Sequence, residues 1–155
     1  MTYVLDTNII SEITKHPANP QVINWMQDHE ADMYLTTITL MELNYGVMRL
    51  PDGKKKRRLR EAVDMIAREH ARRTYQFDGM SACYCAEMRR EADAVGRTPQ
   101  IADVMIAAIC KRNDATLVTH NVKDFECFDI DTIDPFTYES PTLKRLKENE
   151  ANLAE

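Results

Sequence analysis

Four short stretches of this chain each place an oxygen-bearing side chain where an extended run gives way to a helix or loop. "YVLDTN" (3–8) carries Asp6, "TTITLMEL" (36–43) carries Glu42, "IADVMIAAIC" (101–110) carries Asp103, and "VTHNVKDF" (118–125) carries Asn121 and Asp124. Each has an ordinary explanation when taken singly. Asp6 could cap the helix that follows it, although Asn8 stands nearer to that helix and could do the same. Thr39 and Glu42 fit the S/T-x-x-E capping box, which would occupy the glutamate with a backbone N–H. Asp103 could serve the dipole of its own helix, a contribution of about 0.3–1 kcal/mol. Loop chemistry alone would account for Asn121 and Asp124.

Taken together they suggest more. In open parallel sheets, ligands gather at the carboxyl ends of the strands, and Asp6, Glu42 and the Asn121–Asp124 segment all follow such ends. Asp103 enters a helix so apolar that its inner face must be buried, where an unpaired carboxylate is costly. Three or four carboxylates at one sheet edge repel one another unless neutralised, and a hard divalent cation is the usual remedy. Mg²⁺ or Mn²⁺ is the expected ion. Such a centre suits hydrolysis of a phosphodiester, because the ion lowers the pKa of an attacking water and neutralises the leaving oxygen.

The elements that must position these groups alternate β-rich runs with helical ones, which predicts an α/β domain with a mainly parallel central sheet. "TYVLD" is the first strand and "NIISEITKH" a short helix. "NPQVINWMQDHE" is a second helix, with Asn19 as N-cap and Pro20 in the first helical position. The strand "MYLTT" leads into the helix "TLMELNYGVMRL". After the turn "PDG", Leu59, Ala62, Val63, Ile66 and Ala67 recur at the spacing of one helical stripe. A brief strand "TYQF" follows, then a helix from about Ser81 to near Gly96, the apolar helix "IADVMIAAICKRN", the strand "ATLVT" and a last strand near "FDIDTID".

Size and composition set limits. At 155 residues the chain is expected to form one core needing no disulfide or cofactor to hold it. Four cysteines without CxxC spacing read as reduced and mostly buried. No apolar run is long enough to span a membrane and the first residues lack a signal-peptide pattern, so the expected location is the cytoplasm. Residues 1–136 read as the domain, and residues 137–155 as a charged tail, a docked helix or a frayed end, with Leu143, Leu146 and Leu153 as thin anchors. The net charge of −5 argues against a protein that coats nucleic acid. Yet residues 49–73 hold ten of the twenty Lys and Arg against four acids, a local +6. The run Lys54, Lys55, Lys56, Arg57, Arg58 sits at a helix start, where cations oppose the dipole, so local stability does not ask for it.

The ordered set of motifs resembles the PIN-domain family, in particular the VapC and FitB-like toxins of bacterial type II toxin–antitoxin pairs. The matching pieces are "LDTNIISE" (5–12), "LTTITLMELNYGV" (35–47), "PQIADVMIAAIC" (99–110) and "LVTHNVKDFE" (117–126). The resemblance covers residues 2 to about 136 and implies an α/β/α sandwich with a Mg²⁺-dependent endoribonuclease site. By position, Asp6, Glu42 and Asp103 match the three core acids, with Asp6 and Asp103 as the chief metal ligands and Glu42 binding directly or through water. Thr7 and Thr119 match hydroxyl residues that line the pocket. The fourth acid's place is taken by the neutral Asn121, with Asp124 as the alternative.

The resemblance further implies in-line attack by a metal-activated water on RNA, leaving a 5′-phosphate and a 3′-hydroxyl. It also implies an antitoxin partner and a homodimer. The basic run 54–58 is then a candidate contact for RNA or antitoxin. A PIN-like binding module without catalysis is the competing expectation, because of Asn121. A haloacid-dehalogenase phosphotransferase is disfavoured because Asn8 stands where that chemistry needs a second Asp.

Overall fold

The computed structural model describes residues 1–141, 144 and 145. Five short parallel strands, β1 (Tyr3–Leu5), β2 (Met33–Thr36), β3 (Thr74–Tyr75), β4 (Thr116–Val118) and β5 (Thr132–Ile133), form one sheet in the order β3-β2-β1-β4-β5. Among the described residues they are accompanied by the helices α1 (Thr7–Ile13), α2 (Pro20–Asp28), α3 (Thr37–Met48), α4 (Lys54–Glu69), α5 (Gly79–Ala94), α6 (Ile101–Asn113) and α7 (Val122–Phe125). The α/β class and the parallel sheet are as the sequence predicts.

Alternation along the strands separates two cores. Tyr3, Leu5, Met33, Leu35 and Val118 face one side and pack with Ile9, Ile10, Trp25, Val63 and Ile66 from α1, α2 and α4. Val4 and Leu117 face the other side and pack with Met88 of α5 and Ile106, Ala107 and Ile109 of α6. A central strand buried on both faces needs apolar residues at every position, which is what "YVL" supplies.

The strand order has its topological switch between β1 and β4. The chain winds outward from β1 through β2 to β3, and β4 then returns to the other flank of β1. The crevice beyond the carboxyl ends of β1 and β4 is the favoured ligand position in such a sheet.

Local chemistry sets the element ends. The Asn19 side chain caps α2 through the N–H groups of Gln21 and Val22, ahead of Pro20 at the first position. α5 begins two residues before the expected Ser81 because Asp78 caps it by accepting from Ser81 N–H at 2.8 Å. It ends in a Schellman motif, with Gly96 at φ 71°, its N–H donating to Asp93 and that of Arg97 donating to Ala92. A left-handed residue is required there, and glycine adopts it without strain. That stop aims the segment 97–100 at the start of α6.

Of the four cysteines, Cys85 and Cys110 are buried, Cys127 is half-buried and Cys83 is exposed, all as free thiols. No helix among the described residues is long and apolar enough to cross a membrane. The hydroxyls of Tyr138 and Ser140 donate to Asp28 at 2.9 and 2.8 Å, tying the start of the tail to α2. The anchors Leu143, Leu146 and Leu153 lie outside the described residues.

Candidate active site

Asp6 leaves β1 and caps α1, as its local reading expects. One carboxylate oxygen accepts from Thr7 N–H at 2.7 Å. The other accepts from the Asn8 amide at 2.8 Å and the Thr119 hydroxyl at 2.7 Å. Its own N–H donates to the carbonyl of Val118 at 3.0 Å. Asp6 as a whole is only 5% exposed. That burial pushes its pKa up, the bonds to Thr119, Thr7 and Asn8 pull against it, and the charge of Glu42 adds to the rise.

Glu42 is free of the capping box. Thr36, the last residue of β2, already caps α3 by accepting from Thr39 N–H at 2.9 Å. The helix therefore starts earlier than the box requires, and Glu42 falls in its second turn. There it accepts a short 2.5 Å hydrogen bond from the Thr7 hydroxyl. Thr7 thus joins the two acids, giving Asp6 its N–H and Glu42 its O–H.

Asp103 sits in the first turn of α6, half-buried. Its pKa is pushed up to about 6, first by burial and then by the charges of Asp6, Glu42 and Asp124. The four carboxylates therefore share one field. Asp103 and Asp124 also line a cavity of about 390 Å³ with Arg97, Gln100 and Cys127. Asn121 enters the network through its backbone: its N–H donates to the Thr119 hydroxyl oxygen at 3.0 Å and its carbonyl accepts from Asp124 N–H at 3.0 Å.

The donor set is all oxygen and all anionic or neutral, which suits Mg²⁺ or Mn²⁺. Among the described residues, no three His, Cys, Asp or Glu side chains stand close enough to enclose an ion as they are. The fit therefore rests on charge and chemistry: Asp103 is desolvated and repelled by three acids, a strain that a bound cation would relieve.

The basic run lies on the first turn of α4. Lys54, Lys55, Arg57 and Arg58 are exposed, and Lys56 pairs with Asp52 at 2.9 Å. No hydrogen bond or ion pair among the described residues joins it to the acids.

A model of the PIN domain matches residues 3–129. The chain belongs to the PIN domain family. Over 135 residues it is 35% identical to toxin FitB of Neisseria gonorrhoeae, covering 86% of this chain and 97% of that one. It is 29% identical to VapC ribonuclease Y4jK of Sinorhizobium fredii, covering 86% and 96%. The solved structure of FitAcB from Neisseria gonorrhoeae superposes with a TM-score of 0.81 at 34% identity, covering 88% of this chain and 100% of that one.

Asn8 holds this PIN domain's site together more than its sequence suggests. Its amide N–H reaches both Asp6 and the Thr119 hydroxyl (3.1 Å), and its carbonyl oxygen accepts from His120 N–H at 3.2 Å. The loops after β1 and β4 are sewn together by this one side chain. Local sequence offers Asn8 only as a cap, because Thr119 and His120 lie more than 100 residues away.

Proposed function

We propose that this PIN domain is a Mg²⁺-dependent endoribonuclease acting as the toxin of a toxin–antitoxin pair. The observation that carries the reading is the shared field of Asp6, Glu42, Asp103 and Asp124 at the switch point of the sheet. The likeness to a VapC ribonuclease and to toxin FitB supports it.

Asp6 and Asp103 would hold the ion, with Glu42 binding directly or through water, and Mn²⁺ could replace Mg²⁺. When bound, the ion supplies neutralisation of the leaving oxygen and a lowered pKa for the attacking water. The rest falls to the chain's own groups. Asn8, Thr7 and Thr119 fix the Asp6 carboxylate, and Thr7 fixes Glu42, so these acids need no reorganisation when the substrate arrives. Asp124 adds the fourth negative charge, while Asn121 offers a neutral carbonyl oxygen in the same loop.

A toxin must be restrained in the cell that makes it, so the partner is a cognate antitoxin. The exposed cations of residues 54–58 are available to RNA phosphates or to an acidic antitoxin segment. The deciding experiment is incubation of the purified chain with RNA in Mg²⁺ and in EDTA. Cleavage in Mg²⁺ alone, leaving 5′-phosphates, is expected; intact RNA under both conditions would favour a binding module.

A further inference from the structure

His120 has no part in the acidic network beyond its backbone N–H, yet its side chain is fixed from several directions. The ring stacks on Phe136 with centroids 3.9 Å apart and planes inclined by 27°. Its Nδ1 lies 3.3 and 3.2 Å from the two carboxylate oxygens of Asp134. The same carboxylate accepts from Phe136 N–H at 3.0 Å, so one acid orients both rings. Phe136 in turn packs on the core under α1 and α2.

Despite these ties, 52% of the His120 side chain remains exposed. Immobilising a side chain that stays in water sacrifices rotamer freedom without the compensation of burial, which points to a surface kept flat for a visitor. Its position supports the same view. Asn8 donates to Asp6 and accepts from the backbone N–H of His120, so this loop position is tied through one amide to the carboxylate cluster.

We propose that His120, backed by Phe136, is a stacking platform for the nucleobase flanking the scissile phosphate. The proposal rests on the ribonuclease reading of the acidic site. Single-stranded RNA is recognised largely by stacking of its bases on aromatic planes, a contact that tolerates sequence because every base has a π-face.

The test uses the full chain and short single-stranded RNAs carrying 2-aminopurine, or an abasic ribose, at successive positions around the cleaved bond. In an Asp103→Asn background, 2-aminopurine fluorescence should be quenched at one flanking position. Adding His120→Ala should abolish the quenching, and His120→Phe should keep it. In the otherwise native chain, His120→Ala should lower kcat/KM by about 5- to 100-fold, the range expected for losing one stacked base. An abasic ribose at that position should cost the native chain a similar factor and the Ala variant nothing further.

If the native chain cuts no RNA but the His120-dependent quenching is present, the nuclease reading fails and with it the placement of the base beside a scissile phosphate, while the stacking contact of His120 with a base stands. Equal quenching and equal cleavage with and without His120 would overturn the platform, and would be the result if the surface served a protein partner. So would a loss in the Ala variant that is the same for intact and abasic RNA, since His120 would then only shape its loop.

Discussion

The two halves of the acidic site are held in different ways. On the β1–β4 side, Asp6 is nearly buried but fully engaged, accepting from Thr7, Asn8 and Thr119, while Glu42 accepts from Thr7. On the α6 side, Asp103 borders an open cavity of about 390 Å³, and the influences that set its pKa are burial and three like charges. One half is positioned by hydrogen bonds; the other is left electrostatically unsatisfied. Fixed donors preorganise a carboxylate without cancelling its charge, whereas the unsatisfied partner supplies the attraction for a cation.

Removing either principal acid should have the largest effect. Asp6→Ala and Asp103→Ala are each expected to lower Mg²⁺-dependent RNA cleavage by about 10³-fold or more, with the circular dichroism spectrum of the folded domain retained. Variants that are folded and fully active would end the assignment. Next come the groups that only hold Asp6 and Glu42. Asn8→Ala and Thr7→Val should each reduce activity or metal affinity about 10- to 100-fold, as for other partners of metal-binding side chains. Asn8→Ala should also lower stability by about 1–3 kcal/mol, because it leaves buried acceptors unmatched. If both variants cut RNA at the native rate, the hydrogen-bonded half is not what prepares the site.

The halves should also differ in stability. The raised pKa of Asp103 means that the folded, metal-free protein binds a proton more tightly there than the unfolded chain. Its contribution is therefore favourable below about pH 4 and is lost as pH rises through about 6. Asp103→Asn should accordingly stabilise the metal-free protein at pH 7.5. After discounting for solvent, the gain is on the order of 1 kcal/mol, about 2–4 °C in Tm for a chain of this size. Mg²⁺ should raise the Tm of the native chain and have little effect on the variant. An unchanged or lower Tm for Asp103→Asn would mean that the carboxylate is already paired.

The smallest effect is expected from a change that touches neither half. Replacing Lys54, Lys55, Lys56, Arg57 and Arg58 by Gln should flatten the dependence of RNA affinity on salt, roughly in proportion to the phosphate contacts removed, with cleavage at saturating RNA little altered. An unchanged slope would identify the run as a solvated helix face or an antitoxin contact.

Much of the architecture was legible residue by residue. The run "TYVLD" reads as the first strand and forms β1, Asn19-Pro20 reads as a helix start and opens α2, and Gly96 has the freedom that the end of α5 needs. The start of α3 was misleading, because two overlapping caps were possible. Thr36 closes the helix from the strand side, which removes the capping box that Thr39 and Glu42 spell out and frees Glu42 for Thr7. Asn8 and His120 gave no signal for a related reason: what each does depends on partners that the chain reaches much later.

Periods, most helix ends and the identity of the acids follow from local backbone preferences and side-chain chemistry, which act over a few positions. Which half of the site is held by hydrogen bonds follows from contacts made across the fold. The return of β4 to the flank of β1 sets Thr119 against Asp6, and the burial of α6 sets Asp103 within the field of three other acids. Hydrogen bonds and Coulombic repulsion act through space, and their partners are fixed only once the sheet has formed.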